Sequence, residues 1–484
     1  KVAGVQISKT AGGAGSSTNV VIRGKSSIAG SNQPLYVVDG IPIINYSNDN
    51  SASGVASADI DYGDGVGDLN PQDVDGVILI TTKSGKKGGK GLGIEVNSGV
   101  TLEELYLIPN FQNEFGSGYD DEGYANYSWG GFTFDGIYYN WPENGQLDSW
   151  GGPLDGSIKI PNWWTLPEDG SIPGSVWDCP ITEAVPYVAQ PRNNVRNFFN
   201  TGVTFSNNIA LTSSNEKGSM RLSLGSNSTD GIVPNHEIKR KTVSFSGSTR
   251  INKILSFEAR INYIRTEGDQ RPRTGYSASN PMYNLISMSR NTPLDFAKYQ
   301  YEKTRVNIRY PGINYNPYYM VNEVKNSDFK DRVVGSASTT LQFTDWLSLM
   351  GRVGVDFYSQ SKETRWPQDP ESRNSDSRKG QMTQMLDRTR DINADVILTA
   401  DKKISESFRL NGVVGAGIRS YRSDWMYWDA REFKAKDVYD ISNFKDIRPD
   451  AGLYEKEMQS VFFTGQVAYK DYLFVDVTGR NDWS

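Results

Sequence analysis

"TVSFSGSTRINKILSFEARINY", residues 242–263, decides the fold. Val243, Phe245, Gly247, Thr249 and Ile251 occupy alternate positions, and Ser244, Ser246, Ser248 and Arg250 fill the places between them. After Asn252-Lys253-Ile254 the alternation restarts, with Leu255, Phe257, Ala259, Ile261 and Tyr263 against Ser256, Glu258, Arg260 and Asn262. A period of two puts one set on each face of a strand. Two such strands across a tight turn make a hairpin. "LSLMGRVGVDF" (347–357) repeats the pattern, with Leu347, Leu349, Gly351, Val353, Val355 and Phe357 opposite Ser348, Arg352 and Asp356. So do 392–400, 408–418, 461–469 and 473–480.

A soluble sandwich also alternates, but two features favour a membrane barrel. The patterned segments run to about 9–12 residues or more, the length of a tilted strand crossing a bilayer. The connections alternate short and long. The short ones are "SSNEKG" (213–218), "NKI" (252–254), "TDW" (344–346), "DKKISES" (401–407) and "KDY" (470–472). The long ones lie near 105–200, 268–332, 360–388 and 420–456. Arg250, Glu258, Arg260, Arg352 and Asp356 all fall on the non-apolar face. There they avoid the roughly 2–4 kcal/mol cost of a charge in the lipid, and look into a wet lumen or against a plug. About eleven strands are expected: 92–103, 201–213, 219–229, 239–251, 255–267, 332–344, 347–359, 388–400, 408–420, 458–469 and 473–484. Bacterial single-chain barrels have even strand numbers, so the barrel reads as incomplete. The chain also begins at Lys1 without Met or signal peptide and stops inside a strand pattern at Ser484, so both ends read as cut.

Composition agrees and excludes much else. Gly is abundant, at 48 of 484 residues, and aromatics make up 12%, which suits strands and turns. Mean hydropathy is −0.54 and no apolar run is long enough for a membrane helix. A net charge of −6 without a basic block argues against nucleic acid as a partner. With one Cys (Cys179) and one His (His236), an intrachain disulfide is impossible and a Cys/His zinc site is not expected. His236 lies in the turn-like "GIVPNHEIKR" and is expected to be solvated. No enzyme active site is read, and no cofactor or metal. "DIDYGDGVGD" (59–68) fails the EF-hand register, since position 6 is Asp64 and position 12 is Asn70.

Residues 1–91 differ from the rest: small, Gly-rich and weakly hydrophobic. Short strands are expected at 4–8, 19–23, 35–38 and 77–82, and "KSGKKGGKG" (83–91) reads as a linker. In "NVVIRGKSSIAGSNQPLYVVDGIPI" (19–43), strands 20–22 and 35–38 read as a hairpin across a Gly/Ser-rich turn. Gly24, Gly30 and Gly40 permit tight turns, and Arg23 and Asp39 end the strands. These two charges either contact the barrel wall or simply cap strand ends. A small domain ahead of a barrel reads as a plug.

At this point the chain resembles the SusC/RagA-type TonB-dependent outer-membrane transporters of Bacteroidota. The resemblance rests on "VAGVQISKTAGGAGSSTNVVIRG" (2–24), "GKSSIAGSNQPLYVVDGIPI" (24–43), "DLNPQDV" (68–74) and "DGVILITTKSGKKG" (75–88). It continues in "NNIALTSSNEKGSMRLSLGSNSTDGIVPN" (207–235) and "VTGRNDWS" (477–484). It implies an all-β transmembrane β-barrel of about 22 strands, with a small mixed α/β plug domain at the N-terminus. Residues 1–91 would be the C-terminal part of the plug, and 92–484 the first half of the barrel. It further implies active import of an oligosaccharide or peptide across the outer membrane, with plug displacement opening the lumen. The implied partners are the TonB complex, acting through a segment absent here, a SusD-like surface lipoprotein, and outer-membrane lipid. Loops would be extracellular, with turns and plug on the periplasmic side. The chain departs from the family between Val74 and Asp75, where a helix-bearing segment is missing and the plug is expected to be shortened or interrupted. A non-transporting barrel component of an envelope assembly and a siderophore receptor are the alternative readings.

Specificity is sought in the first long loop. Six of the eleven Trp lie between residues 129 and 177. Trp129, Tyr138, Tyr139, Trp141, Trp163 and Trp164 are the candidate substrate-binding residues, because flat apolar rings stack on a ligand while polar edges bond it. The same rings could form the loop's own core or a partner interface. Trp150, in "DSWGGPLDG" (148–156), reads as structural.

Overall fold

The computed structural model describes residues 4–9, 12–16, 18–24, 34–44, 60, 77–85, 91–116, 131–140, 151–162, 165–171, 179–275, 280–307, 315–369, 379–470 and 472–484. The junction at 74–75 lies outside them.

The N-terminal part contributes β1 (Val5–Lys9), β2 (Thr18–Ile22), β3 (Leu35–Val38), β4 (Ile41–Pro42) and β5 (Val77–Ile80). The hairpin expected between residues 20–22 and 35–38 does not form. β2 pairs antiparallel with β1, while β3 pairs antiparallel with β4 and parallel with β5. The reason is local: Arg23 and Gly24 both take positive φ (60° and 96°) and turn the chain away, and a nearer Gly-rich turn joins β1 to β2.

Alternation dominates from β6 (Gly91–Glu103) onward. The first long connection carries β7 (Gly131–Phe134), β8 (Ile137–Asn140), β9 (Asp155–Pro161), β10 (Ala184–Val188) and α1 (Asn193–Arg196). Then come β11 (Gly202–Ser214), β12 (Gly218–Asp230), β13 (Glu237–Arg250) and β14 (Leu255–Asp269). The second long connection carries α2 (Pro281–Ser287), α3 (Leu294–Thr304) and α4 (Pro317–Glu323). The chain finishes with β15 (Lys325–Thr344), β16 (Leu347–Trp366), β17 (Gln381–Lys403), β18 (Phe408–Phe433), β19 (Phe444–Tyr469) and β20 (Leu473–Trp483).

Among the described residues one eleven-stranded sheet runs β6-β11-β12 and onward in sequence order to β20, each neighbour antiparallel. Its strands match the eleven read from the sequence, with the later ones longer. The expected long connections 360–388 and 420–456 are mostly strand: β18 and β19 have 26 residues each. Beyond the span a bilayer requires, both faces are wet, so the apolar stripe disappears while pairing persists. Cross-strand ion pairs such as Arg388–Asp424 at 2.7 Å and Arg422–Glu455 at 2.9 Å mark these extensions.

Val243, Phe257, Ile261, Val353, Phe357, Val396, Val414 and Val461 are exposed on the outer face, the face the alternation assigned to lipid. No helix among the described residues is long and apolar enough to cross a membrane, which says nothing about strands. The largest apolar core lies in the long connections, where Phe198, Leu285, Leu294, Tyr301, Tyr318 and Met320 pack together. Sequence reading took these connections as loops. Two signals announce the helices: Asn280-Pro281 and Asn316-Pro317 each place an N-cap Asn before Pro at the first helical position. The Asn side chains accept from the amides of Met282 and Tyr318, at 2.9 Å in both cases.

Candidate functional site

The site is the seam between the N-terminal strands and the concave face of the large sheet. It begins at Asp39-Gly40, the two-residue turn between β3 and β4. Both residues take positive φ (53° and 84°), the requirement of a tight hairpin of this hand. The turn puts the Asp39 carboxylate beside the end of β5. Thr82 donates its amide to Oδ1 at 2.9 Å and its hydroxyl to Oδ2 at 2.6 Å. Arg260 of β14 also donates to Oδ1, and holds Glu258 at 2.5 Å. The Asp39 side chain is 4% exposed. One carboxylate thus ties two strands of the small domain to the wall.

The chain then follows β16. Ile41 packs over Gly354, where a Cβ would collide with its side chain. Ile44 donates its amide to Asp356 Oδ2 at 2.7 Å and accepts from Arg332 Nη2 at 2.6 Å. Arg332 donates to both Asp356 oxygens, at 2.8 and 2.6 Å. Ile44 also packs with Tyr358 and Tyr421. The charged belt continues sideways through Arg352–Asp395 at 2.5 Å and Arg419–Asp391 at 2.6 Å. Desolvation offsets much of the attraction in such pairs, so their net contribution to stability is small.

A second contact lies near the opposite end of β13 from turn 251–254. Gly15 O accepts from Arg271 Nη1 at 3.2 Å. Arg271 is locked to Asp328 at 2.5 Å, both side chains almost fully buried, and its amide donates to Asn326 Oδ1 at 3.0 Å. Gly13 lies against the His236 ring. His236 is therefore buried, 3% exposed, and not the solvated turn residue expected. Burial first, and the nearby Arg271 charge second, push its pKa down to about 4. Its Nε2 has no hydrogen-bond partner among the described residues. The small domain therefore spans the height of the wall instead of sitting at the short-turn end alone.

The two charges that sequence reading paired behave differently. Asp39 contacts the wall; Arg23 is exposed, its amide bonds Gly4 O at 2.7 Å, and among the described residues it has no ion pair. Trp129, Trp141, Trp163 and Trp164 lie outside the described residues, as does Trp150. Tyr138 is exposed on β8, and Tyr139, also on β8, is paired in register with Phe132. Sequence reading missed Arg332, Arg271, Asp328 and His236. The signal for two of them was present: Asp328, Lys330 and Arg332 alternate on the inward face of β15.

A plugged, outer-membrane-type β-barrel is the class this geometry defines. The TonB-dependent Receptor Plug Domain family matches residues 1–90. The chain is 38% identical over 112 residues to TonB-dependent receptor P39 of Formosa agariphila, covering 23% of this chain and 11% of that protein. It is 32% identical over 139 residues to TonB-dependent receptor SusC of Bacteroides thetaiotaomicron, covering 27% of this chain and 13% of that one. It superposes on the RagAB peptide importer in its closed-closed state with a TM-score of 0.69 at 17% identity, covering all of this chain and 52% of that chain. The chain thus spans about half the length of that structure, and its matches are short parts of the curated relatives. Residues 1–90 thus match a TonB-dependent receptor plug, short stretches of the chain are similar to SusC, and the whole chain shares the fold of the RagAB structure.

Proposed function

We propose that this chain is the plug and half the wall of an active importer that carries a nutrient, an oligosaccharide or peptide, across the outer membrane. Residues 1–91 are the plug and 92–484 the first half of a barrel of about 22 strands. The open edges support this division. Among the described residues β6 and β20 each have one unpaired side, and an unpaired strand edge in hydrocarbon leaves backbone groups unsatisfied at several kcal/mol each. Aromatic residues at the short-turn end, Phe408 against Tyr469 at 4.9 Å and Tyr469 against Tyr472 at 5.6 Å, suit a membrane–water boundary.

The observation that carries the reading is Asp39 and Ile44 held by Arg260, Asp356 and Arg332 of the inner wall. A domain seated there blocks the lumen until a pull moves part of it aside. TonB supplies the pull, and no covalent chemistry is needed. The loops are extracellular and the tight turns periplasmic. A SusD-like surface lipoprotein pairs with the long connections, in line with the two-component RagAB name of the similar structure. Trp129, Tyr138, Tyr139, Trp141, Trp163 and Trp164 contact substrate there.

The test is a deletion strain grown on single glycans and peptides. Uptake of one nutrient class is lost, general permeability is unchanged, and dissipating the proton gradient in the parent reproduces the loss. Unimpaired growth on every nutrient sinks the reading.

A further inference from the structure

The inner wall is chemically divided. On β14 to β17 it is charged and bound to the plug. On β6 and β11 to β13 amides and hydroxyls predominate, with Glu95, Arg221 and Arg240 among them. Pairing sets Asn97 opposite Asn208, Ser223 opposite Ser244, and Ser244 opposite Asn262. These residues, with Arg221 and with Thr82 and Lys83 of the plug, line a half-open cavity of about 400 Å³, within the size range of ligand sites. Among the described residues the plug meets this wall above the cavity, and again at its lower rim, where Lys83 also lies 3.7 Å from Glu95. Gly13 and Gly15 lie against His236 and Ile238 above; Lys83 O accepts from Ser246 Oγ at 3.3 Å and Gly85 packs on Ser219 below.

The charges at the cavity are largely used internally. Glu95 is shared between Arg221 at 3.0 Å and Lys83 at 3.7 Å. What remains is a surface of groups that both donate and accept, which matches the hydroxyls of a neutral saccharide. Two cations against one carboxylate leave one positive charge at the cavity rim, on the exposed Lys83.

We propose that this cavity is a station on the substrate's route past the plug, and that it takes a neutral, hydroxyl-rich ligand. The inference rests on the import reading above. The plug strip 39–44 stays clamped to β14–β16 during passage, and only the plug segments flanking the neutral wall move aside.

The test uses the full-length protein in cells, scored by uptake of the nutrient that the deletion strain loses. Two cysteines, Ile41→Cys with Gly354→Cys, lock the clamp by a disulfide, verified by mass; native Cys179 is buried. Ser223→Trp fills the cavity. The locked protein retains uptake within about twofold, while Ser223→Trp loses at least tenfold at equal surface abundance. If Ser223→Trp fails to assemble, Ser223→Cys modified after assembly with a bulky neutral maleimide replaces it. Loss of uptake on locking that a reductant restores, or normal uptake with the cavity filled, overturns the proposal while import itself stands. A nutrient that proves to be a charged peptide overturns the ligand class. A deletion strain with no uptake defect removes the import reading instead, and this proposal with it.

Discussion

The charged and neutral walls belong to one sheet, share one register and have the same period, yet treat the plug differently. At one level across the sheet, Ser244 pairs with Asn262, Asn262 with Val334, and Val334 with Asp356. Within three strand spacings the inward residue changes from a hydroxyl beside open space to a fully buried carboxylate that holds both Arg332 and the plug backbone. Strand geometry fixes which way a side chain points; the choice of side chain decides whether the plug is gripped or passed by.

The strongest way to break that contrast is Asp356→Ala. It removes the buried carboxylate that Arg332 grips with two hydrogen bonds, and leaves the Ile44 amide without its acceptor. Removing one partner of a buried pair costs about 3–5 kcal/mol. Amide exchange and protease nicking in segment 39–44 should rise accordingly. Ser244→Ala, at the same level on the neutral wall, should change stability by no more than about 0.5 kcal/mol. Equal effects would erase the distinction between the walls.

His236 sharpens it, because there the plug tip meets the neutral side through an uncharged ring. Its folded pKa of about 4 lies below the ordinary 6.5, so the opened state takes up a proton first. The contact is at full strength above about pH 6.5 and weakens as pH falls toward 4, by up to about 3 kcal/mol. Protection of residues 12–16 against hydrogen exchange should decline over that window and level off below it. His236→Gln should flatten the profile. An unchanged pH dependence in that variant would assign the effect to other groups.

The same contrast explains what the sequence revealed. Strands facing lipid on one side and water on the other print their period in the chain, and eleven could be read from 243/245/247-type alternation alone. The plug prints almost nothing: β3 has four residues, and its parallel partner β5 is remote in sequence, so the pairing could not be inferred from local pattern. Asp39 could be named as a candidate contact because a charge ends an apolar strand. Its partner Arg260 had been placed on the inward face, but nothing local linked the two. His236 was misjudged because what buries it, Gly13 and Gly231, is distant in one case and featureless in the other. The helices behind Asn280-Pro281 and Asn316-Pro317 were legible in principle, hidden by the assumption that long barrel connections are loops.

The smallest expected effect lies where the strands rise beyond the membrane and the division between walls ends. Glu432, at positive φ (63°) near the end of β18, is bracketed by Lys379 at 2.7 Å and Lys445 at 2.6 Å. The hydrogen bonds from Lys379 and then Lys445 lower its pKa from the usual 4.5 to about 2. A depressed carboxylate contributes stability that is complete above its unfolded pKa and lost as pH falls through the folded one. The tie should therefore persist through mild acid and fail only near pH 2, well below the window in which His236 acts. All three groups face solvent, so salt should weaken the tie at any pH, with little effect on overall stability. A carboxyl titration of Glu432 followed by NMR at low and high salt measures both. A midpoint near 4.5 at low salt would show that the bracket does not hold in solution. A midpoint near 2 that climbs with salt would show the extended strands tied together by screened surface charge, unlike the buried grip of Asp356 below them.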